Sequence, residues 1–325
     1  MSTLDYVQRS ARLLLITIVL YSCLWLWLKD PMQGLIPQSS FKNSCGIDVV
    51  ERVKSDNYDA APFNKTDLIL PFFRYQEGFV VAQSYHLSSC KIEKVMTTIT
   101  DAIFCYFTNR TEFLANNRTI STEQFRTRFC LDQNMHVGYE KLHSSLGEPR
   151  LEYAVVRHPI ERFLSGFIDK CINEAKEAEA RCYGCKGDME CVLRGLHAAL
   201  VNASTTNYTE YNYEMAHFAP QTWYCNFKDH LNHYVILKFK EGSEGASALA
   251  KELEAIYRQA GAPDDLRQEI YAQLLVGGTL HSTSGTAARV EARNTLMNNK
   301  SLLLRVVQIY YYDFVVFKFP QPILL

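Results

Sequence analysis

The segment from Glu152 to Lys170 constrains this chain more than any other. It reads EYAVV, then RHP, then IERFLSGFIDK. EYAVV is a short apolar run, the signal of a buried strand. Pro159 has the fixed φ that suits a first helical turn, and it pushes His158 before it into extended geometry. A strand that passes within three residues into a helix is one half of an α/β unit. The pattern recurs. GFVVA at 78–82 reads as a strand and SYHLSSC at 84–90 as a polar loop. The run 91–107 then carries Ile92, Val95, Met96, Ile99, Ile103 and Phe107 at helical spacing. VILKF at 235–239 reads as a third strand, 243–261 as a third helix between Ser243 and Gly261, and 301–317 as a closing helix. Alternating strands and helices predict an α/β fold, a mostly parallel sheet flanked by helices. No internal repeat is present.

The 325 residues carry 34 Lys+Arg against 35 Asp+Glu, a net charge of −1. That balance excludes a protein that coats nucleic acid and excludes an acidic disordered chain. Residues Leu13 to Leu28, LLLITIVLYSCLWLWL, contain no charge, and Arg9 and Arg12 precede them. As a helix this run is about 24 Å long, enough for a thin bilayer of the early secretory pathway. No small-x-small cleavage site follows. The positive-inside rule then predicts a cytoplasmic tail at 1–12, a transmembrane signal anchor at 13–28, a lumenal stem at 29–75 and a lumenal catalytic domain at 76–325. This is a single-pass type II arrangement in the Golgi membrane.

Six N-x-S/T sequons, at Asn64, Asn109, Asn117, Asn202, Asn207 and Asn299, agree with a secretory glycoprotein. Beyond Cys23 in the anchor there are nine cysteines, at 45, 90, 105, 130, 171, 182, 185, 191 and 225. The group Cys171, Cys182, Cys185 and Cys191 has a C-x-x-C spacing that suits zinc, but no histidine follows at finger spacing. In an oxidising lumen disulfides are expected instead, with no metal. Nine is odd, so one thiol stays free or pairs between chains.

Arg157 ends a buried strand, at the carboxyl edge where open α/β sheets bind ligands. Arg162 and Ser165 stand three apart on the following helix and share a face. Two guanidinium groups and a hydroxyl beside a helix start make a cluster that suits phosphate. The alternative is a solvated helix face with Arg162 paired to Glu161 or Asp169.

VVRHPIERFLSGF resembles the 3′-phosphate-binding segment of Golgi carbohydrate sulfotransferases, R-x-P-x-x-R-x-x-S-x-[FY], with Arg157, Pro159, Arg162, Ser165 and Phe167 at the fixed positions. LSSCKIEKVM looks like a variant of that family's 5′-phosphosulfate loop, and DFVVFKF resembles its C-terminal end. The likeness covers about residues 75–320 and is nearest in style to the chondroitin 4-sulfotransferase-like branch, in particular its nematode members. It implies a P-loop-like sulfotransferase fold, 3′-phosphoadenosine 5′-phosphosulfate as donor, and a chondroitin-like glycosaminoglycan as acceptor, sulfated at the 4-O of N-acetylgalactosamine. Carried over by position, Ser88, Ser89, Cys90, Lys91, Lys94, Arg157, Arg162 and Ser165 are the expected donor-binding residues.

The family loop opens with Pro-Lys, and here His86-Leu87 stands roughly in its place. Lys91, taken as the start of the helix, is expected to contact the phosphosulfate, with Lys94 one turn in as support. Sulfuryl transfer needs in-line attack, cations and a base for the acceptor hydroxyl. His86 and His136 are the candidate bases, His158 is read as structural, and His281 as a residue of the acceptor cleft. A Golgi glycosyltransferase is the rival enzyme, although no Asp-x-Asp occurs, and a P-loop NTPase lacks its G-x-x-x-x-G-K-[ST]. An inactive donor- or glycan-binding lumenal glycoprotein is the rival from another class.

Overall fold

The apolar strands assemble into one five-stranded sheet of order β3-β1-β2-β4-β5. The computed structural model describes residues 49–124, 127–130, 133–176, 178–276 and 285–324. The expected tail, the anchor, much of the stem, Cys23, Cys45 and His281 lie outside the described residues. Among the described residues no helix is long and apolar enough to cross a membrane.

In chain order the main elements are β1 (Gly78–Ala82), β2 (Leu87–Cys90), α1 (Thr97–Ala115), β3 (Met135–Val137), α2 (Tyr139–Leu146), β4 (Leu151–Arg157) and α3 (Pro159–Gly166). There follow α4 (Met189–Thr206), α5 (Tyr213–Phe218), β5 (Tyr234–Phe239), α6 (Gly242–Gln259), α7 (Asp264–Leu275), α8 (Ala287–Met297) and α9 (Lys300–Val316). β2, β4 and β5 are parallel neighbours, whereas β1 pairs antiparallel with both β2 and β3. The sheet is therefore mixed, not mostly parallel. The reason is local: four residues join β1 to β2, and so short a link makes only antiparallel neighbours.

Two expectations shift here. Leu87–Cys90 is a strand buried along its length, not part of a polar loop. Both its faces are buried, so it shows no period-2 alternation. The helix expected from Lys91 starts at Thr97. Lys94 and Met96 adopt left-handed backbone, φ +66° and +48°, which no helix accommodates.

The core is rich in aromatic rings, with Phe79, Phe104, Tyr153, Tyr257 and Tyr310 almost fully buried. On α9, inside the DFVVF segment, Asp313 is fully buried and accepts hydrogen bonds from the N–H groups of Gln221 (2.7 Å) and Thr222 (3.0 Å). Gln221 in turn accepts from the Arg157 N–H at 2.9 Å and donates to the Arg157 carbonyl at 2.8 Å. The last helix thus fixes the end of β4. Disulfides join Cys90–Cys225, Cys105–Cys130, Cys171–Cys182 and Cys185–Cys191. The C-x-x-C group is therefore a pair of disulfides and not a zinc site.

Candidate functional site

The site forms at the carboxyl ends of β2 and β4. From Cys90 the chain leaves β2 through a loop, Lys91–Met96, and enters the 19-residue α1. No side chain caps that helix start. Its first-turn N–H groups are thus left for an anion, where the helix dipole favours negative charge. Arg162 holds the loop from beneath: its guanidinium donates to the carbonyls of Glu93 (2.8 Å) and Ala219 (2.7 Å) and to the Tyr224 hydroxyl (3.1 Å). Arg162 is 1% exposed with these donors committed to the chain. Expected as a phosphate ligand, it is instead the residue that shapes the loop. Gly166 lets α3 pack closely on α5, because a Cβ there would meet the Phe218 ring at 2.6 Å.

The two lysines of the loop part company. Lys91 turns inward to Asp101 at 2.7 Å, beside Arg128, and both partners are buried. Lys91, expected to contact the phosphosulfate, is instead held in this buried pair with Asp101, one turn into α1. Lys94 lies in the loop, not one turn into the helix, and its Nζ is 2.5 Å from Asp169 Oδ2. Burial lowers the Lys94 pKa, with Asp169 working against that shift. Burial alone would raise Asp169, but Lys94 and Lys170 outweigh it and hold the carboxyl below its usual range. Asp169 reaches the loop because α3 widens into π-helical turns over Phe167–Asn173, an irregularity often found at functional sites. Between strand and helix the order is Glu93-Lys94-Val95-Met96-Thr97-Thr98. His86-Leu87, where the resemblance put Pro-Lys, lies at the far end of β2, and Glu93-Lys94 occupies the link between strand and helix.

Arg157 donates to the Lys94 carbonyl at 3.1 Å and pairs with Glu241, and its Nε is buried with no partner. Arg289 on α8 also meets Glu241 at 2.5 Å and Glu161 at 2.6 Å. Burial lowers the Arg157 pKa, with Glu241 opposing the shift and Arg289 adding to it. The Ser165 side chain is nearly buried, and no hydrogen bond to its hydroxyl forms among the described residues. Ser88 and Ser89 are interior residues of β2, the Ser88 hydroxyl buried without a partner among the described residues, and Cys90 is locked to Cys225.

The histidines divide as well. His86 sits at the opposite end of β2, its Nδ1 2.6 Å from the Leu146 carbonyl, which removes it from the site. His136 pairs across to Phe79, which pairs with Cys90, so it lies at the level where β2 runs out into the loop. Its Nδ1 is buried without a partner, and burial, with Lys141, lowers its pKa. His158 packs on Phe314 and Phe319, with Nε2 3.3 Å from the Pro320 carbonyl and Nδ1 buried without a partner among the described residues. No local pattern marks Glu241 or Arg289 as neighbours of this site, since Arg289 is 132 residues beyond Arg157. Of the sequons, Asn64, Asn117, Asn202, Asn207 and Asn299 are exposed and Asn109 is half-buried.

Comparison with known proteins gives four findings. A model described as the sulfotransferase family matches residues 77–320. Carbohydrate sulfotransferase chst-1 of Caenorhabditis elegans is 30% identical over 80% of this chain and 81% of its own length. An uncharacterized protein of the same nematode, C18B2.2, is 27% identical over 80% of this chain and 74% of its own. No solved structure matches.

Proposed function

The chain belongs to the sulfotransferase family, and from that premise we propose that it moves a sulfuryl group from 3′-phosphoadenosine 5′-phosphosulfate to a hydroxyl of a carbohydrate. The acceptor we propose is chondroitin-like, at the 4-O of N-acetylgalactosamine, in line with the resemblance and with the relative named a carbohydrate sulfotransferase. One observation carries the donor assignment: an uncapped helix start, Lys94, and Arg157 with an orphaned Nε all lie along one sheet edge. Those groups fit a donor that carries anions at both ends. The family match counts against the glycosyltransferase and inactive-binder readings.

In this reading Arg157 and Ser165 hold the 3′-phosphate, and the first-turn N–H groups of α1 and Lys94 hold the 5′-phosphosulfate. When bound, the donor supplies the sulfuryl group and leaves as 3′-phosphoadenosine 5′-phosphate. His136 takes the proton of the acceptor hydroxyl as its oxygen bonds to sulfur. Its burial favours the neutral form that accepts a proton. Lys94 faces the bridging oxygen, where negative charge grows as the S–O bond breaks, so its contact strengthens toward the transition state. Asp169 positions that ammonium.

We also read the protein as a Golgi type II membrane glycoprotein; the disulfides and exposed sequons support a lumenal body. Protease treatment of sealed microsomes should leave that body intact, and digestion would refute the topology. The activity is tested with purified protein, radiolabelled donor and a panel of acceptor glycans. Stabilisation by 3′-phosphoadenosine 5′-phosphate and label in chondroitin are expected. Neither result appearing would sink the proposal.

A further inference from the structure

The insert between α3 and α4 is tied to the loop by a chain of contacts. Asp169 receives Lys94 and, at 3.0 Å, Lys170. Lys170 meets Glu174 at 2.6 Å, and the Tyr213 hydroxyl donates to the same Glu174. The Arg181 guanidinium lies 3.6 Å from the centroid of the Tyr213 ring. Lys170 is neutralised by its two acids. Arg181 is not: among the described residues no carboxylate pairs with it, and Glu214, on the same helix as Tyr213, accepts from the Cys182 N–H instead. The Cys171–Cys182 disulfide, at a sequence separation of 11, closes a loop that contains this arginine and limits its motion. Beside it Tyr211 is 65% exposed, an unusual position for so large a ring.

A guanidinium held flat on a ring, without an acid, next to an open tyrosine is an arrangement built for a partner that has both a carboxylate and a broad apolar face. We propose that Arg181 and Tyr211 form an acceptor shelf for an acidic polysaccharide, Arg181 gripping a hexuronate carboxylate and Tyr211 stacking under a sugar ring. The shelf rests on the sulfotransferase reading for its purpose, and it deepens that reading by naming what makes an acceptor acceptable. Arginine grips a carboxylate with two parallel N–H bonds, whereas lysine offers a point charge.

The test uses non-sulfated chondroitin and its carboxyl-reduced form. Arg181→Ala should raise the KM for chondroitin about tenfold or more and leave the donor KM unchanged. Arg181→Lys should recover only part of the loss. Carboxyl-reduced chondroitin should serve the wild type as poorly as chondroitin serves Arg181→Ala, and Tyr211→Ala should weaken both polymers. An unchanged chondroitin KM in Arg181→Ala would overturn the shelf. So would equal use of the two polymers by the wild type. If the wild type transfers no sulfate to any acceptor and 3′-phosphoadenosine 5′-phosphate gives no stabilisation, the sulfotransferase reading has failed. The shelf is then read directly: wild type should elute from immobilised chondroitin at higher salt than Arg181→Ala, and co-elution, or no retention of the wild type, refutes it.

Discussion

The two ends of the parallel strands are built from similar residues and differ in what their basic side chains have left to bind. At the amino ends of β4 and β5, His143 meets Glu152 at 3.1 Å and Arg150 meets the same carboxylate at 2.5 Å. The Tyr139 hydroxyl is 2.9 Å from His233, and its ring stacks 3.7 Å from that of His230. With His86 this end has four histidines, and each is engaged with the chain. At the carboxyl ends the cations sit beside groups with no partner: Arg157 Nε, His136 Nδ1 and the uncapped start of α1. A residue type that can do chemistry is therefore a poor guide by itself. Unfilled bonding capacity is the better one, because a buried polar group without a partner costs about 1–3 kcal/mol unless something binds it.

If that contrast is right, substitutions at the carboxyl end change rates and those at the amino end change stability. The largest effect is expected from His136→Gln. Removing a general base lowers kcat by roughly 10²–10⁴-fold. Because burial depresses its pKa, wild-type His136 stays neutral below its ordinary pKa of 6.5, so the acid limb of the rate profile should lie below that pH and vanish in the variant. Wild-type kcat in His136→Gln would remove it from the mechanism.

Next comes the lysine pair. Lys94→Ala should lower kcat by about 10²–10³-fold, more than it raises the donor KM. Lys91→Ala should instead destabilise the fold by about 3–5 kcal/mol, since it leaves Asp101 buried with one partner fewer, while the folded fraction stays active. Urea melts and single-turnover rates separate the two, and the reverse pattern would restore Lys91 to the loop's chemistry.

Arg157→Ala and Ser165→Ala should weaken donor binding by about 1.5–3 kcal/mol, read as a higher donor KM at constant acceptor KM. Asp313→Ala tests the support behind Arg157. Losing the acceptor for Gln221 and Thr222 should cost about 1–3 kcal/mol of stability and raise the donor KM without touching the donor. A stability loss with unchanged donor KM would confine Asp313 to the core.

The smallest effect is expected at the amino end. His143→Gln should leave kcat and both KM values unchanged. Burial lowers the His143 pKa, so the unfolded chain binds its proton first and the folded state loses stability as pH falls below 6.5. The variant should lose that part of the acid sensitivity, measured as Tm between pH 5 and 7. A rate defect here would break the contrast between the two ends.

Much of this was legible in one dimension. Arg157, Pro159 and Ser165 follow from a strand, a proline-started helix and a three-residue spacing, each a local property of the chain. The disulfide reading of the C-x-x-C group follows from the compartment. The loop was misread for a physical reason: Ile92, Val95 and Met96 have helical spacing, and nothing local forbids a helix there. What forbids it is Arg162, which draws the Glu93 carbonyl, and Arg157, which draws that of Lys94.

By itself the sequence determined the α/β alternation, the position of the Arg157–Phe167 segment and the presence of cations just after β2, because strand and helix periods and proline geometry act over a few residues. Only the tertiary structure decided which lysine pairs inward with Asp101 and which lies beside Asp169, that Arg162 supports the loop, and that Asp169, Glu241 and Arg289 surround the site. Those outcomes depend on which buried donor finds which acceptor, and a donor on one element is satisfied by whatever the fold brings to it across more than a hundred residues of chain.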